Sequence, residues 1–156
     1  MIMVVTLKKA GLKDVNSIKE IIVESRNEYL PYAPISYNDK EMVRWIKETL
    51  LPKSNVWLAI TNEQAIGVCA SSDRGIDTWI DQLYIKPGFL KRGAGSSLLN
   101  EAISNSKFTH IKTACFELNT HATAFYLNRG FKVKFTRDAS SNEQGLPDII
   151  LEKKVS

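Results

Sequence analysis

The residues best suited to chemistry form a glycine-containing segment, Lys91-Arg-Gly-Ala-Gly-Ser96, between a predicted strand and a predicted helix. Glycines at such a junction let backbone N–H groups approach an anion, because no Cβ lies in the way. The first helical turn adds unpaired N–H donors and the positive end of the helix dipole, which favour a phosphate. Lys91 and Arg92 add two positive charges. The segment indicates a phosphate-binding loop, although a tight strand-to-helix turn with solvated basic residues would have the same sequence pattern.

This loop differs from the two common nucleotide-binding loops. It lacks the Lys-Ser/Thr ending of a P-loop, and its glycines do not have the spacing of a dinucleotide-binding fold. No carboxylate suited to Mg²⁺ follows it at a recognisable spacing. Binding of a nucleotide is therefore the function that this loop supports least.

Asp81 is the candidate base, and it lies on the predicted strand before the loop. Strand alternation places it on the same face as Trp79, Leu83 and Ile85, so we expect its carboxylate to be poorly solvated. Desolvation disfavours the charged form and makes the group a better proton acceptor, directly or through water. Pairing with a lysine or capping of a backbone group would explain an aspartate there equally well.

The cysteines and histidines argue against a metal site. Cys69 and Cys115 lie in apolar runs, as buried cysteines of a reducing compartment do. The histidines are His110 and His121, and a zinc site needs closely spaced ligands, so we predict no metal. Cys115 and His121 could in principle form a nucleophile and base, but no local pattern marks such a pair.

The elements that must position these residues follow from apolar periodicity and turn residues. The predicted strands are Met3–Lys8, Asn55–Thr61, Ala65–Ser72, Thr78–Ile85, Ile111–Leu118, Phe131–Arg137 and Ile149–Lys154. The predicted helices run from an Asp14 cap to about Tyr29, from Asn38 or Asp39 to a stop at Pro52, from Gly93 to about Ser106, and from Asn119 or Thr120 through Arg129. The order β-α-α-β-β-β-α-β-α-β-β favours a mixed sheet with helices on both faces.

Length and composition fit one globular domain over residues 1–156, with 44% apolar and 24% charged residues. The net charge of +4 tolerates a polyanionic ligand, but no Lys/Arg cluster indicates a nucleic-acid partner. No apolar run reaches membrane-spanning length and the first residues lack a secretory pattern. We therefore expect a cytoplasmic protein with no membrane partner.

Two blocks of the sequence together resemble a known family. The first comprises Asp81-Gln-Leu-Tyr-Ile-Lys-Pro87, the glycine loop and the helix from Leu98 to Ala102. It resembles the acyl-CoA-binding motif of the GNAT superfamily of N-acetyltransferases, usually written Gln/Arg-x-x-Gly-x-Gly/Ala. The second block contains Phe116, Asn119, Ala122, Phe125-Tyr126 and Gly130-Phe131. The resemblance spans about Met3 to Lys154.

The first block departs from the family pattern at one end. Leu90 stands where the family has Gln or Arg, and Lys91 stands where a small residue is usual. Because the family holds the pyrophosphate mainly through backbone amides, we expect the loop at Leu90–Ser96 to bind it still. Lys91 would then supply part of the lost polarity.

The resemblance implies an α/β (α+β) fold with a mixed, mainly antiparallel central sheet of six to seven strands and about four helices. It also implies acetyl-CoA as co-substrate and transfer of the acetyl group to a primary amine of a small molecule. The amine would attack directly in a ternary complex, without a covalent enzyme intermediate. A homodimer is compatible with the family.

The resemblance further implies which residues bind the cofactor. The thioester carbonyl would accept a backbone N–H from the stretch Leu83, Tyr84 and Ile85. The pyrophosphate would lie on Lys91, Arg92, Gly93, Ala94, Gly95 and Ser96. Asn119 would contact the pantetheine arm, and Tyr126 would lie near the sulfur as a general acid.

Each of these side chains also has a structural interpretation. Asn119 is a good helix N-cap, a role compatible with cofactor contact. Phe125 and Tyr126 could both belong to the apolar face of a helix. A buried Tyr126 hydroxyl needs a partner, which favours a functional role. His121 is more typical of a surface residue than of a base.

The acceptor site has the weakest sequence signal. Tyr29 and Tyr32, in an aromatic and proline-punctuated segment, could line it together with Asp81, or they could cover the sheet. Glu143 and Asp148 in a polar loop would suit a cationic amine, although exposure is the default for such a loop. The alternatives are a protein lysine or N-terminal acetyltransferase and a CoA-binding module without turnover.

Overall fold

The computed structural model describes residues 4–156, so Met3, where the first predicted strand began, lies outside the described residues. The strands are β1 Thr6–Lys9, β2 Asn55–Thr61, β3 Gln64–Asp73, β4 Thr78–Ile85, β5 His110–Phe116, β6 Lys132–Arg137 and β7 Asp148–Lys154. The helices are α1 Val15–Tyr29, α2 Asp39–Trp45, α3 Ala94–Ser104 and α4 Thr120–Leu127. Short helical turns lie at Leu12–Asp14, Ile46–Leu50, Leu51–Lys53 and Ala139–Ser141.

The strands form a seven-stranded sheet in the order β1-β2-β3-β4-β5-β7-β6. β1 with β2, β2 with β3, β5 with β7 and β6 with β7 are antiparallel. β4 and β5 are parallel, with Thr78 opposite Ile111 and Ile80 opposite Thr113. The predicted mixed, mainly antiparallel sheet is confirmed.

Local sequence explains the turns and helix starts. Asn62 and Glu63, between β2 and β3, both have positive φ, as a two-residue hairpin turn of type I′ requires. Asn38 caps α2: its Oδ1 accepts the Glu41 N–H at 2.9 Å, and Glu41 Oε1 accepts the Asn38 N–H at 3.0 Å. Pro52, predicted to stop this helix, does not. The chain stays helical through a π-helical turn at Ile46–Leu50, and Pro52 lies inside the last helical turn, Leu51–Lys53.

The chain forms two compact units. The first comprises the described residues up to Ser72 together with Gln82–Asn105. Its core lies between one face of α1, the continuous helical segment of residues 39–53, and strands β2 and β3. The core residues are Val15, Ile18, Ile21, Ile22, Met42, Ile46, Leu50, Val56, Leu58, Val68 and Ala70.

The second unit comprises Asp73–Asp81 and Ser106–Ser156, so β4 contributes residues to both units. Its fully buried apolar side chains include Phe131, Ile111, Ile150 and Leu151. Within residues 4–156, no helix is long and apolar enough to cross a membrane.

Candidate functional site

The glycine loop begins where β4 ends. Phe89 N–H donates to Lys86 O at 3.1 Å, which closes a turn after Ile85. α3 starts at Ala94, and Gly93 occupies its N-cap position with φ 90° and ψ −7°. Gly93 has no side chain with which to cap the first amides of α3. The first N–H groups of α3 therefore donate no hydrogen bond to a side chain at the N-cap, which is the arrangement in which helix N-termini bind anions.

The backbone at Gly93 lies beside open space. A Cβ built there would have no heavy atom within 4 Å, apart from its chain neighbours and the backbone of its own helix. Lys91 and Arg92 are exposed, and Lys91 has a φ of 60°. A left-handed conformation costs a residue with a Cβ about 1–2 kcal/mol. The loop therefore keeps Lys91 in a strained conformation at the position where the GNAT motif has a small residue.

Close packing sets the position of β4 next to this loop. A Cβ on Gly67 of β3 would lie 2.6 Å from Ile85 Cδ1 and 3.1 Å from Leu98 Cδ1. Any larger residue at position 67 would therefore require the Ile85 and Leu98 side chains to shift. Leu83 and Tyr84 are half-buried, while Ile85 is buried.

Asp81 is held by an arginine. It forms an ion pair with Arg74, and its side chain is 16% exposed. The expected poor solvation is therefore present, but a cation accompanies it. A neighbouring positive charge stabilises the ionised carboxylate and opposes the effect of burial on its basicity. The arrangement favours the structural interpretation of Asp81 over the base.

Tyr126 is the buried aromatic residue of α4, with 4% exposure. Its ring makes edge contacts with Phe125 at 5.2 Å and Phe131 at 5.1 Å between centroids. Phe125, which the helical interpretation placed in the core, is only half-buried and has the Arg129 guanidinium 3.7 Å from its ring centroid. The sequence analysis assigned Phe125 to the apolar face and Tyr126 to function, whereas Tyr126 is the more buried of the two; a helix of eight residues defines the direction of its apolar face poorly.

Asn119 caps α4 as predicted. Its Oδ1 accepts the Ala122 N–H at 3.1 Å, and its carbonyl accepts the Thr123 hydroxyl at 3.2 Å. His121 is exposed, as expected of a surface residue.

Tyr29 ends α1 and is 36% exposed, and Tyr32 lies three residues later in a half-buried position. Arg26 stabilises this segment by donating Nη2–H to the Ala33 carbonyl at 2.7 Å. The two tyrosines thus belong to a segment anchored on α1.

Asp148 does not have the exposed position that an amine-binding role would need. It is 4% exposed, and Arg137 binds both of its carboxylate oxygens, at 2.8 Å and 2.6 Å. The hydrogen bond to Asp148 raises the pKa of Arg137. The carboxylate of Asp148, on β7, is therefore already paired with the guanidinium of Arg137, on β6, whereas Glu143 is exposed.

Cys115 is not a nucleophile in this structure. Burial, and after it the charge of Asp148, raise the pKa of its thiol to about 12. The thiol is therefore protonated at neutral pH and unreactive. Among residues 4–156, no group of three or more His, Cys, Asp or Glu side chains could hold a metal ion.

Sequence reasoning missed Ser25, which donates to the Ile85 carbonyl at the end of β4, and Lys86, the next residue, whose ammonium pairs with Glu20 and Glu24 of α1. Ser25 lies in the middle of a helix, where neither its type nor its spacing marks it. Lys86 was noted only as part of the motif.

Comparison with known proteins identifies the family of the chain. The sequence model of the acetyltransferase (GNAT) family matches residues 22–131. The uncharacterised N-acetyltransferase YafP of Escherichia coli (strain K12) is 31% identical over 93 residues, which are 59% of this chain and 58% of that protein. The match thus spans less than two thirds of that relative's length.

Solved structures share the fold along nearly the whole chain. The PaiA N-acetyltransferase of Thermoplasma acidophilum, in complex with coenzyme A, has a TM-score of 0.75 at 21% identity, covering 97% of this chain and 99% of that one. An acetyltransferase of Thermus thermophilus has a TM-score of 0.79 at 17% identity, covering 99% and 100%. The ribosomal-protein-S18-alanine N-acetyltransferase of Escherichia coli has a TM-score of 0.74 at 15% identity, covering 98% and 95%. At these identities the likeness concerns the fold alone.

Proposed function

The chain belongs to the acetyltransferase (GNAT) family, and from this premise we propose that it transfers an acetyl group from acetyl-CoA to a primary amine of a small molecule. The amine nitrogen attacks the thioester carbonyl carbon, so a C–N bond forms and the C–S bond breaks. The amine loses a proton, and the departing thiolate takes one to become CoA. Holding both reactants in one complex supplies much of the rate enhancement.

The glycine loop is the observation that carries this proposal. Gly93 and Lys91 have left-handed backbone conformations, the space beside Gly93 is open, and the chain runs directly into the amino end of α3. Such a junction fits a pyrophosphate, because amides and the helix dipole both favour negative charge. The exposed Lys91 and Arg92 suit the same anion.

The strand before the loop is proposed to bind the thioester carbonyl through the amides of Leu83–Ile85. The ladder between β4 and β5 runs from Thr78 to Ile80, and β4 continues to Ile85 beyond it. A backbone N–H aimed at the carbonyl oxygen stabilises the negative charge that develops there during attack.

Tyr126 is proposed as the acid that protonates the leaving thiolate, on the strength of its place in the second family block. Asn119 is proposed to contact the pantetheine arm while it caps α4, and Tyr29 and Tyr32 to line the acceptor site. For Asp81, the ion pair with Arg74 favours a structural role.

Release of CoA from acetyl-CoA tests the function. Purified protein is assayed with small primary amines, with a lysine-containing peptide and with peptides bearing a free N-terminus. We expect release with one or more small amines. Release with peptides alone would indicate a protein acetyltransferase, and calorimetric binding of CoA without any release would indicate a silent module.

A further inference from the structure

The peptide group between Ile85 and Lys86 is held on both sides at the end of β4. Ser25 Oγ–H donates to the Ile85 carbonyl at 2.6 Å, and Lys86 N–H donates to the Ile66 carbonyl at 2.8 Å. Both polar atoms of this peptide group are thus bonded, one to α1 and one to β3. Its plane has little freedom to rotate.

The bond from Ser25 is unusual for a serine within a helix. Such a hydroxyl commonly bonds a carbonyl one turn back in its own helix. Ser25, which is 3% exposed, instead bonds a strand residue sixty positions later in the chain. A buried hydroxyl that bypasses its own helix makes a specific connection between α1 and β4.

Lys86 strengthens the connection from the strand side. Its side chain is 11% exposed, and its Nζ lies 3.3 Å from Glu24 Oε2 and 3.6 Å from Glu20 Oε2. Three residues of α1 therefore hold the two residues at which β4 passes into the turn before the glycine loop.

We infer that Ser25 is a positioning residue that, through the Ile85 carbonyl, orients the β4 amides toward the thioester carbonyl of acetyl-CoA. The inference rests on the proposed function, which assigns the amides of Leu83–Ile85 to that carbonyl. Fixing the peptide group after Ile85 limits rotation of the one before it, which carries the Ile85 N–H. Hydrogen bonds in such a chain also polarise one another.

The position of Ser25 in α1 gives the connection a second consequence. Tyr29 lies one turn after it, at the start of the segment proposed to line the acceptor site. Ser25 therefore links the acceptor segment to the strand that presents the acetyl group. Loss of the bond should disturb the geometry of attack more than the binding of the nucleotide part of CoA.

The test compares Ser25→Ala with wild type in calorimetric titrations of acetyl-CoA and of CoA, without acceptor. We expect the Kd for acetyl-CoA to rise about threefold to tenfold, the effect of one hydrogen bond, while the Kd for CoA changes less than about twofold. With the acceptor, kcat should fall about tenfold or more and KM for the amine should change little. Ser25→Thr keeps the hydroxyl and should restore the Kd for acetyl-CoA and kcat to near their wild-type values. If the alanine variant folds poorly, Ser25→Cys replaces it in the test, because cysteine is close to serine in volume.

Thr113→Val is the matched control. Thr113 is 3% exposed and donates its hydroxyl to another β4 carbonyl, that of Ile80, at 3.1 Å. Its loss should lower stability without changing the ratio of the two Kd values. Equal weakening of CoA and acetyl-CoA by Ser25→Ala, or no change in either, would overturn the inference. Absence of turnover in the wild type would overturn the proposed function instead, and the Kd ratio would still decide the role of Ser25.

Discussion

Asp81 forms an ion pair with Arg74, seven residues earlier in the chain. The same guanidinium lies 4.8 Å from the ring centroid of Trp79, two residues before Asp81 on β4. Arg74 thus binds a carboxylate and an aromatic face on the same side of the strand. The carboxylate of Asp81 thus already has a cationic partner, as the structural interpretation of this residue requires.

Asp81→Asn should therefore lower stability and leave the pH dependence of kcat unchanged. Arg74 is half exposed, so the loss in the free energy of unfolding should be at most about 1 kcal/mol. Arg74→Gln should cost somewhat more, because it also removes the contact with the Trp79 ring, and the double variant should cost less than the sum, because both single variants break the same pair. Urea unfolding and pH–rate profiles measure the two effects. A kcat that falls at neutral pH and recovers at high pH would restore Asp81 as the base.

Gly93→Val should abolish CoA binding while the protein stays folded. The branched side chain would occupy the open space in which the proposed pyrophosphate lies, and the φ of 90° adds strain of about 1–2 kcal/mol. Gly75→Val is the matched control, since Gly75 has a φ of 86° and equally open surroundings but lies in the turn before β4. Calorimetry should show lost CoA affinity in the first variant only. Equal CoA affinity in both variants would contradict the loop assignment.

Lys91→Gly should raise stability and weaken CoA binding. Glycine adopts a φ of 60° without the Cβ penalty, so the free energy of unfolding should increase by about 1 kcal/mol, while one charge near the phosphates is lost. Arg92→Gly removes a neighbouring charge without relieving a positive φ, and it should lower stability. Both variants should show a weaker salt dependence of CoA affinity than wild type. A Lys91→Gly variant less stable than wild type would show that the lysine side chain outweighs the strain.

Elements were predictable from the sequence where local patterns are strong. The β-branched runs gave β2 and β4 with their observed bounds, and the apolar residues of α1 recur at the spacing that a buried helical face needs. The glycine loop was predictable as well, because a strand, two glycines and a helix follow one another in the chain. Signals of this kind depend on neighbouring residues only.

Contacts between distant residues were not predictable. The bond from Ser25 to the Ile85 carbonyl joins residues sixty positions apart, and no alternation or cap marks either of them. The pairing of Asp148 with Arg137 depends on the register of β6 against β7, which the sequence leaves open. Such tertiary partners determine that Asp81 and Asp148 are each paired with an arginine, and therefore that neither fits the role of a base or an amine ligand as well as the sequence suggested.

Tyr126→Phe should lower kcat and leave acetyl-CoA binding nearly intact. The change removes one oxygen and keeps the ring, so the edge contacts with Phe125 and Phe131 remain and the buried packing is preserved. A general acid typically contributes about 10²–10⁴-fold, and because a thiolate leaves fairly well without help, the fall should lie toward the lower end of that range. Single-turnover kinetics with the true acceptor separate the chemical step from release of CoA. Calorimetry of acetyl-CoA serves as the binding control, and a variant that carries out the chemical step at the wild-type rate would leave Tyr126 as a packing residue of α4.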